Sequence, residues 1–344
     1  MEPRVNIPAT LVQFLMHSQP LSSRGEFTLL MTAIQTAVKV IEKHIRSAGM
    51  QGLFGYLSDH SSNATGDTQA RLDVIANNAF KAYLISSSSV SFLGSEEEES
   101  LVLVEGERQG HYIVFFDPLD GSSNIDANIS VGSIWGIWRV SDEKKITTME
   151  EATEVLKKLS GKCLVSAGYA MYGTATNLVL TTGHGVDGFT LDPTIGEFIH
   201  THPHITLPAS RAIYSVNEGN FCNWEPWFQK YMNHVKAGPK LYTARYIGSM
   251  VADVHRTLLY GGIFCYPSDL KRPEGKIRLL YEAAPLAMLV EQAGGKASTG
   301  KGRVLDVVPK KPHQRVAVYM GSREEVNLCL SFQKSEQKRS TSKL

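Results

Sequence analysis

Two groups of carboxylates stand close together in the chain. Glu96-Glu97-Glu98-Glu99 follows Phe92-Leu93-Gly94-Ser95, and Asp117 and Asp120 lie in the stretch FFDPLDGSSNID at 115–126. The apolar run Ile113 to Phe116 leads straight into Asp117, and a charge at the end of a buried strand is costly unless something positive meets it. Pro118 is expected to force a turn and fix the direction of Asp120. Gly121 lets the backbone approach a ligand closely. Ser122 and Ser123 add hydroxyls, and their N–H groups can face an anion if a helix begins there. Hard oxygen donors suit Mg²⁺ or Mn²⁺ rather than zinc. The chemistry this pattern allows is metal-assisted handling of a phosphate; the alternative is a solvated structural turn, the ordinary meaning of a glutamate run. A further carboxylate, Glu282, sits in the apolar segment LLYEAAPLAML at 279–289. It calls for a cation there, or for pairing with Arg278 one turn earlier.

The elements that must position these groups follow from periodicity. Ser23-x-x-Glu26 reads as a capping box before a helix over 27–48, in which Phe27, Leu30, Ile34, Val38, Ile41 and Ile45 recur at three- and four-residue steps. The polar stretch 55–69 reads as a long mobile loop before a second helix at about 70–85. Strands are expected at 101–104, 112–116 and 131–139, a helix at 149–159, and further strands within 163–192. Beyond about residue 200, helical patterns at 223–236, 248–259 and 277–293 alternate with strands at 212–216, 262–266, 304–308 and 315–320. Such alternation predicts an α/β half with a partly parallel sheet. His200, His202 and His204 alternate in IHTHPHITL, which reads as an edge strand with half-exposed imidazoles; a transition-metal site is the alternative.

Composition narrows the function. Of 344 residues, 42% are apolar and 20% charged, and the net charge is +1. This is a globular balance with no field for binding nucleic acid by bulk charge. No apolar run approaches the ~18 residues of a membrane span, and MEPRVNIPATLV lacks the basic-then-apolar order of a secretory signal. Cys163, Cys222, Cys265 and Cys329 are far apart and read as reduced thiols of an intracellular protein. The last residues, Ser342-Lys343-Leu344, read as a receptor-recognised address. They predict import into a peroxisome-like organelle, a glycosome or peroxisome, with the import receptor as partner.

DPLDGSSNID resembles the signature of the fructose-1,6-bisphosphatase family. SVNEGN (215–220), ARYIGSMVADVHRTLLYGGIFCYP (244–267), GKIRLLYEAAPLAMLVEQAGG (275–295), TGDTQARLDV (65–74) and RGEFTLL (24–30) resemble that family too, in its order, so the likeness covers roughly 10–333. It implies a layered α/β sugar-phosphatase fold (αβαβα). A regulatory N-terminal half would span 1–200, a substrate-binding α/β half 201–333, and a polar tail 334–344. It also implies a homotetramer. The implied metal ligands are Glu96, Glu97, Asp117, Asp120, Glu282 and the carbonyl of Leu119, holding Mg²⁺ or Mn²⁺. Asp73 with Glu97 would take the proton of an attacking water, and Asp67 belongs to the mobile loop that engages the metals. The 1-phosphate of the sugar would lie on Gly121, Ser122 and Ser123. The second phosphate would meet Asn217, Arg245, Tyr246, Tyr266 and Lys276, beside Gly248, Ser249 and Met250, with Arg245 reaching the neighbouring subunit's site. Asn220 stands where tyrosine is common. An inhibitory AMP site is implied at Gly25, Glu26, Phe27, Thr28, His111, Tyr112 and Arg139. There His111 replaces a common lysine and Phe27 a common methionine, which predicts weaker or more pH-dependent binding. Sedoheptulose-1,7-bisphosphatase, inositol monophosphatase and a non-catalytic sensor on the same fold are the rival readings. Only the last expects a broken carboxylate set.

Overall fold

The computed structural model describes residues 8–20, 22–23, 25–55, 70–141 and 145–341. The expected 55–69 loop with Asp67, apart from Gly55, lies outside the described residues, as does Ser342-Lys343-Leu344.

Three helices come first: α1 (Leu11–Ser18), α2 (Glu26–Gln51) and α3 (Arg71–Ser86). Leu30, Ile34, Ala37, Val38 and Ile41 of α2 are fully or almost fully buried, so the periodic stripe is its core face. The expected capping box does not form. Gly25 is the N-cap in a left-handed conformation (φ 83°), and no side chain caps the helix. The Glu26 carboxylate turns instead to the backbone N–H of His111 at 2.9 Å.

An eight-stranded sheet follows: β1 (Val90–Ser95), β2 (Val102–Leu103), β3 (Tyr112–Asp120), β4 (Val131–Arg139), β5 (Leu164–Tyr172), β6 (Thr176–Thr181), β7 (Asp187–Asp192) and β8 (Glu197–His202). Helix α4 (Met149–Leu156) interrupts the series, and the spatial order is β2-β1-β3-β4-β5-β6-β7-β8. Within this sheet, among the described residues, only β1 and β3 pair in parallel. His200 and His202 lie on β8 at the sheet edge, but His204 is in the turn beyond it with φ 50°.

The remaining chain gives β9 (Ile213–Ser215), α5 (Pro226–Ala237), β10 (Thr243–Ala244), α6 (Met250–Tyr260), β11 (Ile263–Tyr266), β12 (Ile277–Arg278), α7 (Ala284–Gln292), β13 (Lys296–Ser298), β14 (Arg315–Val316), β15 (Val318–Gly321) and α8 (Arg323–Thr341). A second sheet runs β10-β9-β11-β15-β13, parallel in its first two pairs and antiparallel in the rest. One sequence expectation fails here. Val304–Asp306 is a 3₁₀ turn rather than a strand, because an apolar run that short does not distinguish the two. The polar residues from 334 continue α8 to Thr341.

Packing makes five layers. Helices α1–α3 cover one face of the large sheet with Leu30, Ile34, Phe80, Val114 and Phe116. Helices α6 and α7 fill the space between the sheets through one continuous core that includes Phe115, Val251, Phe264, Leu286 and Met320. Helices α5 and α8 close the outer face of the second sheet with Phe228, Tyr231, Tyr319 and Val326. The halves therefore share their central layer.

Candidate active site

Parallel pairing of β1 and β3 decides where the carboxylates meet. Ser95 is registered with Phe116, so Glu96, just past the end of β1, lies beside Asp117 of β3, with the Glu96 N–H on the Phe116 carbonyl at 3.2 Å. Pro118 does not end the strand. It sits in an irregularity of the β3–β4 ladder between Asp117 and Asp120, where a missing N–H is tolerated. The Ser133 hydroxyl holds the Pro118 carbonyl at 2.7 Å, and the kink aims Asp120 back toward Asp117. Gly121 then takes φ 78°, and a Cβ there would lie 2.9 Å from the Ser249 side chain. Glycine is required both by the conformation and by the approach of α6.

Glu282 arrives from the other half. Residues Leu279–Ala283 form a π turn at the head of α7. Its carboxylate accepts the Arg278 N–H at 2.5 Å. Carboxylate oxygens of Asp117, Asp120 and Glu282 all lie within 4.8 Å of one another. Arg278, 3% exposed, approaches Glu96 at 3.8 Å. The sequence alternative for Glu282, pairing with Arg278, is thus partly realised through the backbone. Asp73, in the first turn of α3, accepts the Ala70 N–H at 2.8 Å and the Ser122 hydroxyl at 3.2 Å. Asp120 in turn accepts the Val251 N–H at 2.8 Å and so caps α6.

These groups open onto one cavity of about 360 Å³. Of the expected residues, Asp73, Glu96, Glu97, Asp117, Leu119, Asp120 and Glu282 line it, with Gly121, Ser122 and Ser123 on the turn after β3 and Tyr246, Gly248, Met250, Tyr266 and Lys276 also in the lining. Lys276 places its ammonium 5.5 Å from the centre of the Tyr266 ring. Ser249 stands behind the wall, its hydroxyl on Asp120 at 3.3 Å. Asn217 and Arg245 do not line the cavity. Asn217 accepts the Gly219 N–H at 3.1 Å, and Arg245 is exposed with its guanidinium on the Ala244 carbonyl at 2.8 Å.

The lining brings seven carboxylates, Asp253 included, against the two cations Lys276 and Arg278. Burial and mutual repulsion raise the proton affinities accordingly. Asp73 is pushed up to about 7 by burial and by Glu97. Glu96 reaches about 7 through burial, against the pull of Arg278. Glu282 is pushed up to about 8 by burial and then by Glu96 and Asp120, and Asp120 to about 6 by burial. Asp117 is raised well above the carboxylate range by burial and by Glu96. So much like charge without a counterion is untenable when ionised. The oxygen-only donor set fits a small hard divalent cation.

Asp253 was missed by the sequence reading. It is 2% exposed and accepts from Ile247 N–H at 2.9 Å, Gly248 N–H at 3.0 Å and the Ser215 hydroxyl at 2.7 Å, holding the 244–249 loop at the rim. A lone acid in the apolar segment MVADVHRTLLY carries the same signal that singled out Glu282.

At the other end of β3 the remaining expected residues also meet. His111 Nδ1 lies 3.1 Å from Glu26, Tyr112 is registered with Arg139, and the rings of Phe27 and Tyr112 are 5.9 Å apart. Thr28 accepts the Gln19 amide at 2.8 Å.

Two family profiles match the chain: "Fructose-1-6-bisphosphatase, N-terminal domain" over 9–203 and "Fructose-1-6-bisphosphatase, C-terminal domain" over 207–334. A crystal structure of Leishmania major fructose-1,6-bisphosphatase in holo form superposes with a TM-score of 0.93 at 64% identity, covering 95% of this chain and 99% of that one. Cytosolic fructose-1,6-bisphosphatases of Brassica napus and Arabidopsis thaliana are 48% and 47% identical, each alignment covering 96% of both chains. These relatives overturn the expected organelle. Both plant enzymes are cytosolic by name, which points to the cytosol, and neither organelle import nor an import receptor is retained. A three-residue address carries little information beside resemblance over a whole chain. With both domain profiles matched and the relatives aligned almost end to end, the chain belongs to the fructose-1,6-bisphosphatase family, the phosphatases of gluconeogenesis that hydrolyse fructose 1,6-bisphosphate.

Proposed function

We propose that the cavity removes the 1-phosphate of fructose 1,6-bisphosphate, with water attacking phosphorus in line and fructose 6-phosphate leaving. The observation that carries this reading is the convergence of Asp117, Asp120 and Glu282 within 4.8 Å, in a cavity whose other wall is Lys276, Tyr246 and Tyr266. Glu96, Glu97, Asp117, Asp120, Glu282 and the Leu119 carbonyl would hold Mg²⁺ or Mn²⁺. When bound, the metal neutralises charge between phosphate and carboxylates and steadies the leaving oxygen.

The chain's own groups do the rest. Asp73, with its proton affinity near 7, is placed to take the proton of the attacking water at working pH, assisted by Glu97. Backbone N–H groups of Gly121, Ser122 and Ser123 hold the phosphate oxygens, and the left-handed Gly121 turns them inward. Lys276, Tyr246 and Tyr266 hold the 6-phosphate, with Asn217 behind Tyr246. Arg245 serves a neighbouring subunit of a homotetramer; its exposure and its absence from its own cavity support that role. Asp67 engages the metal site from the 55–69 loop. The Glu26–Arg139 patch takes AMP as inhibitor. In this reading the chain up to 200 is regulatory and carries most of the ligands, and 201–333 binds the sugar.

The test is phosphate release from fructose 1,6-bisphosphate and sedoheptulose 1,7-bisphosphate, each with Mg²⁺ and with chelator. Release should need the metal and favour the fructose ester. Full activity in excess chelator sinks the metal role, and a clearly higher kcat/KM for the sedoheptulose ester sinks the substrate assignment.

A further inference from the structure

Glu98 follows the two carboxylates that enter the cavity, yet it is not in the lining itself. Its carboxylate accepts the Asn77 amide at 2.7 Å and the Lys81 ammonium at 2.6 Å, both from α3. The other side of Asn77 accepts the Ser95 hydroxyl at 2.8 Å, and that hydroxyl accepts the Glu97 N–H at 3.2 Å. On the opposite flank, His313 Nε2 lies 3.0 Å from the Glu98 carbonyl, and its Nδ1 lies 2.8 Å from the Tyr281 hydroxyl. A carbonyl only accepts, so Nε2 carries the proton and Nδ1 accepts from Tyr281. Tyr281 is fully buried and immediately precedes Glu282.

We propose that Asn77, Lys81, Glu98 and His313 form a brace that positions Glu96 and Glu97 for the metal and, through Tyr281, fixes their separation from Glu282. The two ligand groups come from different halves of the chain, β1 and the head of α7, and no sheet ladder joins those two elements. The described hydrogen bonds run without a break from α3, through the 95–98 turn and His313, to the π turn. Partners of this kind, one step behind the ligands, set ligand orientation and with it metal affinity. Glu98 therefore differs in task from its neighbours in the same acidic run: it is a positioning residue. This rests on the assignment of Glu96 and Glu97 as ligands.

The experiment uses the full-length metal-free protein, titrated with Mn²⁺ and read by electron paramagnetic resonance, with melting in chelator measured alongside. Glu98→Ala and His313→Ala should weaken Mn²⁺ binding by about 10- to 100-fold, and His313→Gln, which can still donate to the Glu98 carbonyl, should recover most of the loss. Lys81→Met, a milder change at a side chain that is 27% exposed, should weaken binding severalfold while leaving the melting temperature nearly unchanged. The KM for substrate at saturating metal should move less than the metal affinity. Glu96→Gln and Glu97→Gln separate the two readings. If these keep full Mn²⁺ affinity, the ligand assignment is wrong. If they lose it while Lys81→Met and Glu98→Ala bind Mn²⁺ as tightly as wild type, the ligands stand and the brace is wrong.

Discussion

The two ends of β3 carry the two constellations of this protein, and they are built on opposite physical terms. At the C-terminal end, Asp117 and Asp120 join Glu96 and Glu282 in one acidic group, all raised in proton affinity by burial first, and Asp117, Glu96 and Glu282 also by their acidic neighbours. At the N-terminal end, His111 and Glu26 are of opposite type, 36% and 24% exposed at the side chain, and already hydrogen-bonded to each other. The first end is unsatisfied and demands a cation. The second is satisfied as it stands, and a ligand there has to displace an existing contact. Asp117 lies five residues beyond Tyr112 on β3, roughly 17 Å along the strand, so a substitution in one constellation makes no direct contact with the other.

The largest expected effect is at the unsatisfied end. Asp117→Asn should lower kcat/KM by about three decades, as loss of electrostatic transition-state stabilisation does. The same change should raise the melting temperature of the metal-free protein by roughly 2–4 °C, because it removes the cost of burying an acid among other acids while its amide oxygen still accepts the Leu119 N–H. Phosphate release and calorimetry in chelator check the pair. Activity lost together with a lower melting temperature would mean that Asp117 is an ordinary structural acid.

The same repulsion sets a pH dependence. Glu96 and Asp73 are raised to about 7 and Glu282 to about 8, whereas carboxylates of the unfolded chain titrate at about 4. Between those values the folded, metal-free chain binds more protons than the unfolded one, so its stability falls as pH rises. Melting in chelator should therefore be lower at pH 8 than at pH 6. Glu282→Gln should flatten that slope, and saturating Mg²⁺ should abolish it, since the metal-bound form is ionised like the unfolded chain across this range. A slope unchanged by Glu282→Gln would show that the repulsion lies elsewhere.

Lys276 tests the cationic wall of the same cavity. Lys276→Ala should raise KM for fructose 1,6-bisphosphate by about 10- to 100-fold, the worth of a hydrogen bond to a charged group, with kcat within about threefold because the 6-phosphate it is proposed to hold does not react. A fall in kcat with unchanged KM would move Lys276 from substrate binding to the chemical step.

How much of this was legible depended on whether a signal was local. Asp117, Asp120, Gly121 and Glu282 each break an apolar pattern within a few residues, and all line the cavity. Asp253 breaks its helix in the same way and could have been found. The brace could not: Lys81, Glu98 and His313 come from three distant segments, and only folding shows that one glutamate of an acidic run faces α3. Strand β1 was also hidden. Its segment, SSSSVSFLGS at 86–95, is rich in serine and is not among the expected strands, yet Ser89, Ser91 and Ser95 are at most 1% exposed. Two of the three hydroxyls are spent inside the fold: Ser89 on the Glu26 carbonyl at 3.2 Å and Ser95 on Asn77. The box at Ser23 failed for the converse reason. The local pattern was right for a cap, but a partner 85 residues away took the Glu26 carboxylate.

That tertiary contact frames the smallest effect, at the satisfied end. AMP is proposed to lay its phosphate at the N-terminus of α2, where free N–H groups and the helix dipole favour an anion. Arg139 would add a charge-assisted bond. Its guanidinium now lies 6.0 Å from the centre of the Tyr112 ring, beside the Phe27 ring that packs on the same tyrosine. The Glu26 carboxylate already occupies the neighbourhood of that N-terminus, so an incoming phosphate meets a like charge held there by His111. Binding should be weak for this reason, independently of the replacement of lysine by histidine. Inhibition itself requires that AMP favour one of two states, and its strength is bounded by that difference in affinity. Arg139→Ala should raise the AMP concentration for half-inhibition by about tenfold, and Glu26→Gln should lower it severalfold by removing the competing charge, both at fixed Mg²⁺ with kcat unchanged. The two substitutions pull in opposite directions at one site, which no general destabilisation of the N-terminal half would reproduce. Equal inhibition of wild type and Arg139→Ala, or none of wild type at millimolar AMP, would leave this end of β3 as structure alone.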